Sequence, residues 1–559
     1  MAAKTRARKS PPRRQKKRSS KTAVHVLVPG SKRPRVKFAE RVRDVDPSEH
    51  VEVTLTLKGP KLPGPNDLPD GSLTPSEFEK QYGASRSDVD TVARVLKKYG
   101  LTVNQGSLAT RSVQVSGTAK QMESAFRPQL GIYRDAQGSE FRDREGTYEV
   151  PKELAGIVTG VIGFGQRAVA RRRAAAAAKD VVSLQPLAPA DIEKLYSFPP
   201  GSANQQTIAI AEFGGGYFAD DLAAYCLKHG RRVPTLNAIS VNAPAYTLQQ
   251  ILQLPDNERK NQLDASVEVM MDVEVISGLC PDSTINVYFA TFDQKGWVDL
   301  LNRTIGDRPV VLSVSWGMPE DDPQWSKAAR DAINERLNAA ALLGITVCVA
   351  SGDDGSGDEE VDKRAHVDFP ASSPFVLGVG GTMLNAPLSP ASEVVWWEAP
   401  GRRTAQGGGS TGGGVSVFYA RPNWQNVKVK SLNTGSIDGR VVPDVAAVAG
   451  QPFYDVIVLG RDSPNGGTSA AAPVWAALIA RVNANLASGK RQRFLTPLLY
   501  KITPSGQTIG TMACNDITQG NNTSRPHPGK GYTAGPGFDA VSGWGTPNGT
   551  ALQSTLPTV

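Results

Sequence analysis

Hydrophobic and polar positions change period partway along this chain. Between about residues 50 and 168, short alternating runs are interleaved with helical stretches. Residues 51–57 alternate as a strand, and 87–99 repeat apolar side chains at helical spacing with Ser87 as cap. Residues 112–116 form another strand ahead of a helix over Ala119–Phe126, and 149–158 open a further short helix. Strand–helix–strand, twice, predicts a split β-α-β module, a small α+β unit of ferredoxin-like type. Beyond residue 182 the apolar runs become continuous: Thr207–Glu212, 284–290, 310–315, Thr346–Ala350 and 375–378, with helices at about 264–279 and 325–343. Strands this apolar have no wet face. They predict an α/β fold with a doubly wound, mainly parallel sheet covered on both sides.

Composition shifts divide the chain further. Residues 1–43 hold sixteen Lys and Arg against one acid, so 1–44 reads as a disordered basic arm. Such an arm suits nucleic acid or an anionic surface, or acts as a solubilising tail. The small module then spans 45–170. A basic, alanine-rich linker over 171–182 is an accessible place to cut, and the α/β domain occupies 183–559. The first 180 residues carry 35 Lys and Arg against 19 Asp and Glu; the remaining 28 and 35 of the chain's 63 and 54 lie in 181–559. The basic balance belongs to the front, and the α/β domain is acidic.

No apolar run reaches the roughly 18 residues of a membrane span, and no apolar stretch of the secretory kind follows the first basic residues. Cys226, Cys280, Cys348 and Cys514 are too far apart for a metal motif or a dense disulfide framework, so free structural thiols are expected, with one disulfide as the alternative. A monomer is expected.

Chemistry concentrates first in Gly466-Gly467-Thr468-Ser469-Ala470-Ala471-Ala472-Pro473. A glycine turn into a helix leaves the Ser469 hydroxyl at a helix N-terminus, where free N–H groups and the dipole serve developing negative charge. Yet the histidines are only His25, His50, His229, His366 and His527, and none opens a helix as a His-Gly-Thr segment. The activating base must be sought elsewhere. Glu268 and Asp272 are spaced i, i+4 among Val267, Val269, Met270, Met271, Val273 and Val275. Two carboxylates on one apolar helix face share a proton rather than both ionise. Asp264 with Glu268 has the same spacing. A further acid, Asp353, follows the apolar run 346–350 in Ser351-Gly352-Asp353, where a strand runs into a glycine turn.

Glu268-x-x-x-Asp272, Ser351-Gly352-Asp353, the glycine-rich 407–414 and Gly467-Thr468-Ser469-Ala470-x-x-Pro473 together resemble the sedolisins, or serine-carboxyl peptidases. The likeness covers nearly the whole chain after residue 50. It implies a subtilisin-like fold in which Ser469 is the nucleophile, Glu268 the general base and acid, and Asp272 its orienting partner. Asp353 would complete an oxyanion hole with the Ser469 N–H. It also implies that Ser315, Trp316 and Gly317 on one side, and Ser410, Thr411, Gly412 and Gly413 on the other, flank the bound peptide. Glu212 and Trp316 would support Glu268. One calcium ion would be held by Asp516 and Asp539 with carbonyls of Ile517, Gly535 and Gly537, hard oxygen donors that suit Ca²⁺.

The front module becomes a propeptide that covers the cleft as an intramolecular inhibitor, and 171–182 the maturation region. The expected activity is acid-acting endoproteolysis of protein and peptide substrates, with removal of tripeptides as the alternative, outside the cell. Rival readings are an ordinary histidine-dependent hydrolase using His366, or a nucleic-acid-binding protein led by the basic arm with an inactive peptidase body.

Overall fold

The computed structural model describes residues 25–35, 39–136, 138–169, 171–172, 175–176, 185–385, 388–486 and 494–556. Its N-terminal module is built on a four-stranded antiparallel sheet in the order Thr102–Ser107, Ser112–Thr118, His50–Leu57, Val158–Ile162. Helices Arg86–Lys97 and Ala119–Phe126 complete the ferredoxin-like connectivity expected from the alternating pattern. Thr118 caps the second helix, with Gln121 answering back to the cap. The first helix begins one residue before Ser87, so Ser85 is the cap. The expected helix after Glu149 is a strand, Glu149–Pro151, followed by a single 3₁₀ turn over Lys152–Leu154, because Val158 already pairs into the sheet.

The arm reads differently in three dimensions. His25–Leu27 pairs with Glu149–Pro151, and Ala39–Arg43 pairs with Gln129–Asp135 in a second, three-stranded sheet. Arg33 reaches the fully buried Asp143 (3.0 Å), and Val28 is buried in the module's core. Residues 25–35 and 39–44 therefore belong to the module rather than to a disordered tail. Their charge density hid edge strands that alternate charged with apolar residues. The basic stretch over 1–24 lies outside the described residues.

The large domain has an eight-stranded sheet in the order Thr235–Ser240, Thr284–Phe289, Thr207–Glu212, Val311–Val314, Thr346–Ala350, Leu377–Leu384, extended by Val445–Val448 and Glu393–Val395. All neighbours are parallel except Glu393–Val395. One face is covered by helices Asp256–Leu279 and Thr468–Ala484, the other by Gln294–Asp307 and Lys327–Leu342. That double cover is why the strands read as unbroken apolar runs. Three central strands end in Glu212, Ser315 and Ser351-Gly352-Asp353, which places these polar groups side by side at the carboxyl edge of the sheet. The four cysteines are free thiols, three buried and Cys514 half-buried. No helix among the described residues is long and apolar enough to cross a membrane.

Candidate active site

The helix bearing Ser469 starts where Gly467 adopts φ +95°, a conformation that favours glycine, and the turn drives the chain into the centre of the domain. Ser469 is completely buried at the second position of that helix. Pro473, four residues on, has no N–H to offer the Ser469 carbonyl. The Ser315 hydroxyl lies 3.2 Å from that carbonyl instead, and 2.6 Å from Asp272 Oδ2. A hydroxyl has one hydrogen. With Asp272 protonated, the carboxyl donates to Ser315 and Ser315 donates to Ser469 O, so both contacts are satisfied at once.

Helix Asp256–Leu279 packs along the Ser469 helix and is buried on all sides from Val269 onward. Glu268 and Asp272 are both fully buried, whereas Asp264 is half exposed and lies 3.6 Å from Lys260 Nζ. The two candidate pairs with equal spacing are thereby separated: the coupled acids are Glu268 and Asp272. Glu212 joins them from its strand end, with its Oε2 accepting from Trp316 Nε1 at 3.0 Å. Burial pushes the Glu212 carboxyl far above the usual range, and the charges of Asp272 and Glu268 push it further. Burial and then Glu268 do the same to Asp272, with only the Ser315 contact opposing. Three carboxyls in one dry pocket retain protons between them, which suits proton exchange in acid.

Asp353 meets the nucleophile helix from the other side. Its Oδ1 accepts from Thr468 N (2.9 Å) and Thr468 Oγ1 (2.7 Å), and Gly352 N donates to Thr468 Oγ1 at 3.2 Å. Its Oδ2 is buried, makes no hydrogen bond among the described residues, and lies 3.8 Å from Arg403 Nη1. Burial raises the carboxyl to about 6, outweighing Arg403 and the Thr468 bonds, which pull it down. Below that pH, Oδ2 is the free oxygen that can carry a proton outward. Thr468 and Arg403 were missed as participants. Thr468 stood inside the serine motif, while nothing local marked Arg403.

The two expected peptide-flanking segments behave differently. Trp316 and Gly317 pair antiparallel with Arg172 and Arg171 of the linker, and further on Ala175 and Ala176 pair antiparallel with Gly466 and Asn465, just before Ser469. The described residues of the linker thus add two short strand pairings beside the site. Ser410–Gly413 instead braces Asp353: Ser410 N donates to Asp353 O (2.9 Å) and Gly412 N to Gly352 O (2.7 Å). A Cβ at Gly412 would fall 1.9 Å from Ser351 O, so glycine is required here for packing against the Asp353 turn. Among the described residues, this segment makes no ladder with the linker.

No histidine among the described residues hydrogen-bonds Ser469. His366 donates from both ring nitrogens, Nδ1 to Asp321 (2.8 Å) and Nε2 to Asp362 (3.0 Å), in a separate loop. Although burial opposes its charge, these two carboxylates raise it to about 9.

Toward the C-terminus, Asp516 Oδ2 accepts from Gly537 N (2.8 Å) and Asp539 Oδ2 from Gly535 N (3.1 Å), so both carboxylates converge on one loop. No cluster of three His, Cys, Asp or Glu side chains suited to a metal occurs among the described residues. A cation here would draw on two carboxylates plus backbone carbonyls, a donor set that fits a hard ion such as Ca²⁺ and not zinc or copper.

Comparison with known proteins agrees with this layout. The Pro-kumamolisin activation domain matches residues 38–167 and the Subtilase family matches 226–506. Kumamolisin of Bacillus sp. (strain MN-32) is 37% identical over 499 residues, covering 86% of this chain and 85% of its own. Tripeptidyl-peptidase sed5 of Aspergillus fumigatus is 28% identical, covering 94% and 96%. Among solved structures, Pseudomonas sedolisin, a serine-carboxyl proteinase complexed with two molecules of pseudo-iodotyrostatin, is 26% identical with a TM-score of 0.55, covering 66% of this chain and 98% of that one. With its subtilisin-like sheet, buried serine and activation domain, the chain belongs to the sedolisin family of serine peptidases.

Proposed function

We propose that this protein is an acid-acting serine-carboxyl endopeptidase made as a self-processing precursor. The observation that carries the reading is the buried set Glu212, Glu268 and Asp272 on one side of the Ser469 helix, with Asp353 on the other and every histidine elsewhere. Ser469 Oγ attacks the peptide carbonyl carbon. Glu268 accepts its proton and returns it to the leaving amine, with Asp272 orienting Glu268. The Ser469 hydroxyl now rests 3.4 Å from Ser315 O, a weak contact that is readily given up. Negative charge on the carbonyl oxygen is met by the Ser469 N–H and a protonated Asp353 Oδ2. An Asp donor of this kind works only while protonated, which ties the chemistry to acid.

Endoproteolysis is favoured over tripeptide removal because the linker continues on both sides of Ser469, into the folded module in one direction and the catalytic domain in the other. The same path points to maturation between Arg172 and Ala175. Asp516 and Asp539, with carbonyls of Ile517, Gly535 and Gly537, would hold one Ca²⁺, which ties the C-terminal loops together. We place the working enzyme outside the cell.

The test is a pH 4 incubation of pure precursor and of its Ser469→Ala variant, followed by mass spectrometry of a digested peptide library. Self-cutting between 172 and 175 and internal cleavages throughout the library are expected of the precursor alone. Continued self-processing by Ser469→Ala would reject Ser469 as nucleophile; products that are all N-terminal tripeptides would replace the endopeptidase reading.

A further inference from the structure

Between strand His50–Leu57 and helix Pro75–Tyr82 the N-terminal module sends out a long excursion, Lys58-Gly-Pro-Lys-Leu-Pro-Gly-Pro-Asn-Asp-Leu-Pro-Asp-Gly-Ser-Leu73, that lies along the catalytic domain. It has no ladder of its own. Its carbonyls are read one after another: Asn338 Nδ2 donates to Pro63 O (2.9 Å) and Trp424 Nε1 to Pro65 O (2.9 Å). Asn423 N donates to Asn66 Oδ1 (2.7 Å), and Leu73 N closes the run on Leu342 O (2.8 Å). Leu62, Leu68 and Leu73 pack on the catalytic core. Beside them lies a cavity of about 490 Å³ whose catalytic-domain wall includes Trp424, Phe494 and Tyr500.

We infer that this face of the catalytic domain is an accessory groove for extended, leucine- and proline-rich peptide segments, filled by residues 58–73 until the N-terminal module departs. Three features single out that chemistry. Proline offers a carbonyl without a competing N–H and has little backbone freedom left to lose, so an indole N–H and a carboxamide can read it cheaply. The Trp424 ring, tilted against Tyr500 with centroids 5.1 Å apart, gives an apolar wall with one donor at its edge. None of these contacts is an ion pair, unlike Lys295–Glu52 (3.0 Å) and Arg111–Glu335 (2.5 Å), which also join module to domain. Salt screens those ionic contacts more than it does the neutral hydrogen bonds of the groove. The inference rests on proposed processing only for the step that empties the groove.

Its test avoids that step. In full-length protein carrying Ser469→Ala, the substitutions Leu62→Gly, Pro63→Ser, Pro65→Ser and Leu68→Gly strip the excursion of its anchors. A synthetic peptide of residues 58–73 is then titrated calorimetrically at pH 4 and pH 7. Expected is saturable one-site binding at both pH values. Trp424→Phe and Asn338→Ala, each removing one donor, should weaken it about tenfold each. A peptide with its prolines replaced by serine should not saturate. Absence of binding at about 1 mM peptide, equal binding of the serine peptide, or binding only by the whole N-terminal module would overturn the groove. The peptide comparison stands even where a protein variant fails to fold. Binding is read without turnover, so its failure is distinct from failure of Ser469 as nucleophile.

Discussion

Replacing Asp353 by asparagine isolates the proton on which the proposed oxyanion site depends. In the native protein Oδ1 is committed to Thr468, and Oδ2 can donate only when the carboxyl is protonated. With its titration at about 6, roughly 99% of molecules have the donor at pH 4 and roughly 9% at pH 7. Asp353 alone should therefore cost about elevenfold in kcat/KM across that interval. In Asp353→Asn the carboxamide oxygen keeps the Thr468 bonds and its NH₂ donates at every pH. That factor should vanish from the alkaline limb, leaving the limb set by Glu268 and its neighbours. Asp353→Ala should lose about 10²–10³-fold at pH 4, the usual cost of one oxyanion donor.

The same substitution has a stability signature. A carboxyl raised on folding from 3.8 to about 6 binds its proton more tightly in the native state, so native stability falls as pH rises from about 4 to 6. The loss amounts to about 3 kcal/mol, and Asp353→Asn should abolish it. The assays are kcat/KM on one peptide substrate from pH 3 to 7, and urea unfolding at pH 4 and 7. An unchanged alkaline limb in Asp353→Asn, or an Asp353→Ala enzyme of native activity, would refute the assignment.

Ser315→Ala removes the hydroxyl shared by Asp272 and the Ser469 carbonyl; kcat should fall about tenfold or more with KM little changed, measured at pH 4 on folded protein. His366→Ala should retain activity at pH 4 per folded molecule. The raised His366 titration means that native stability is lost as pH climbs from 6.5 toward about 9, and urea unfolding across that window should show the fall in native protein and none in the variant. Chelation by EDTA should lower the melting temperature by several degrees and calcium should restore it, read by differential scanning calorimetry with elemental analysis for bound metal. The N-terminal module added in trans should inhibit more weakly at high salt than at low salt, read as its inhibition constant, because salt screens the Lys295–Glu52 and Arg111–Glu335 pairs between module and domain.

The sequence made the central sheet legible wherever burial on both faces left a continuous apolar run, as in Thr207–Glu212 and Thr346–Ala350. It concealed Val445–Val448, whose short run lies between Pro443 and Gly450, residues of the kind that mark loops. It misled most at residues 25–35 and 39–43, because composition averages over a segment while a strand needs only alternate positions. At the site, Ser469 was marked by its glycine turn, but spacing alone could not choose between Asp264 and Asp272. Depth along one helix decides that, and depth belongs to tertiary packing. Arg403, brought beside Asp353 by a glycine-rich loop 50 residues on, has no local signature at all.

Under the proposed self-processing, the linker strand would also set the kinetics of awakening. Paired with Trp316–Gly317 on one side and Asn465–Gly466 on the other, it would inhibit as part of the same molecule, at an effective concentration on the order of millimolar. The proposed cut between Arg172 and Ala175 would leave Ala175–Ala176 on the catalytic domain and turn the N-terminal module, with Arg171–Arg172, into a separate solute. At about 1 μM protein its concentration then falls roughly a thousandfold without a single contact being redesigned. Under the proposed processing, dilution would become an activating signal: the same population would stay damped where it is crowded and be released as it spreads.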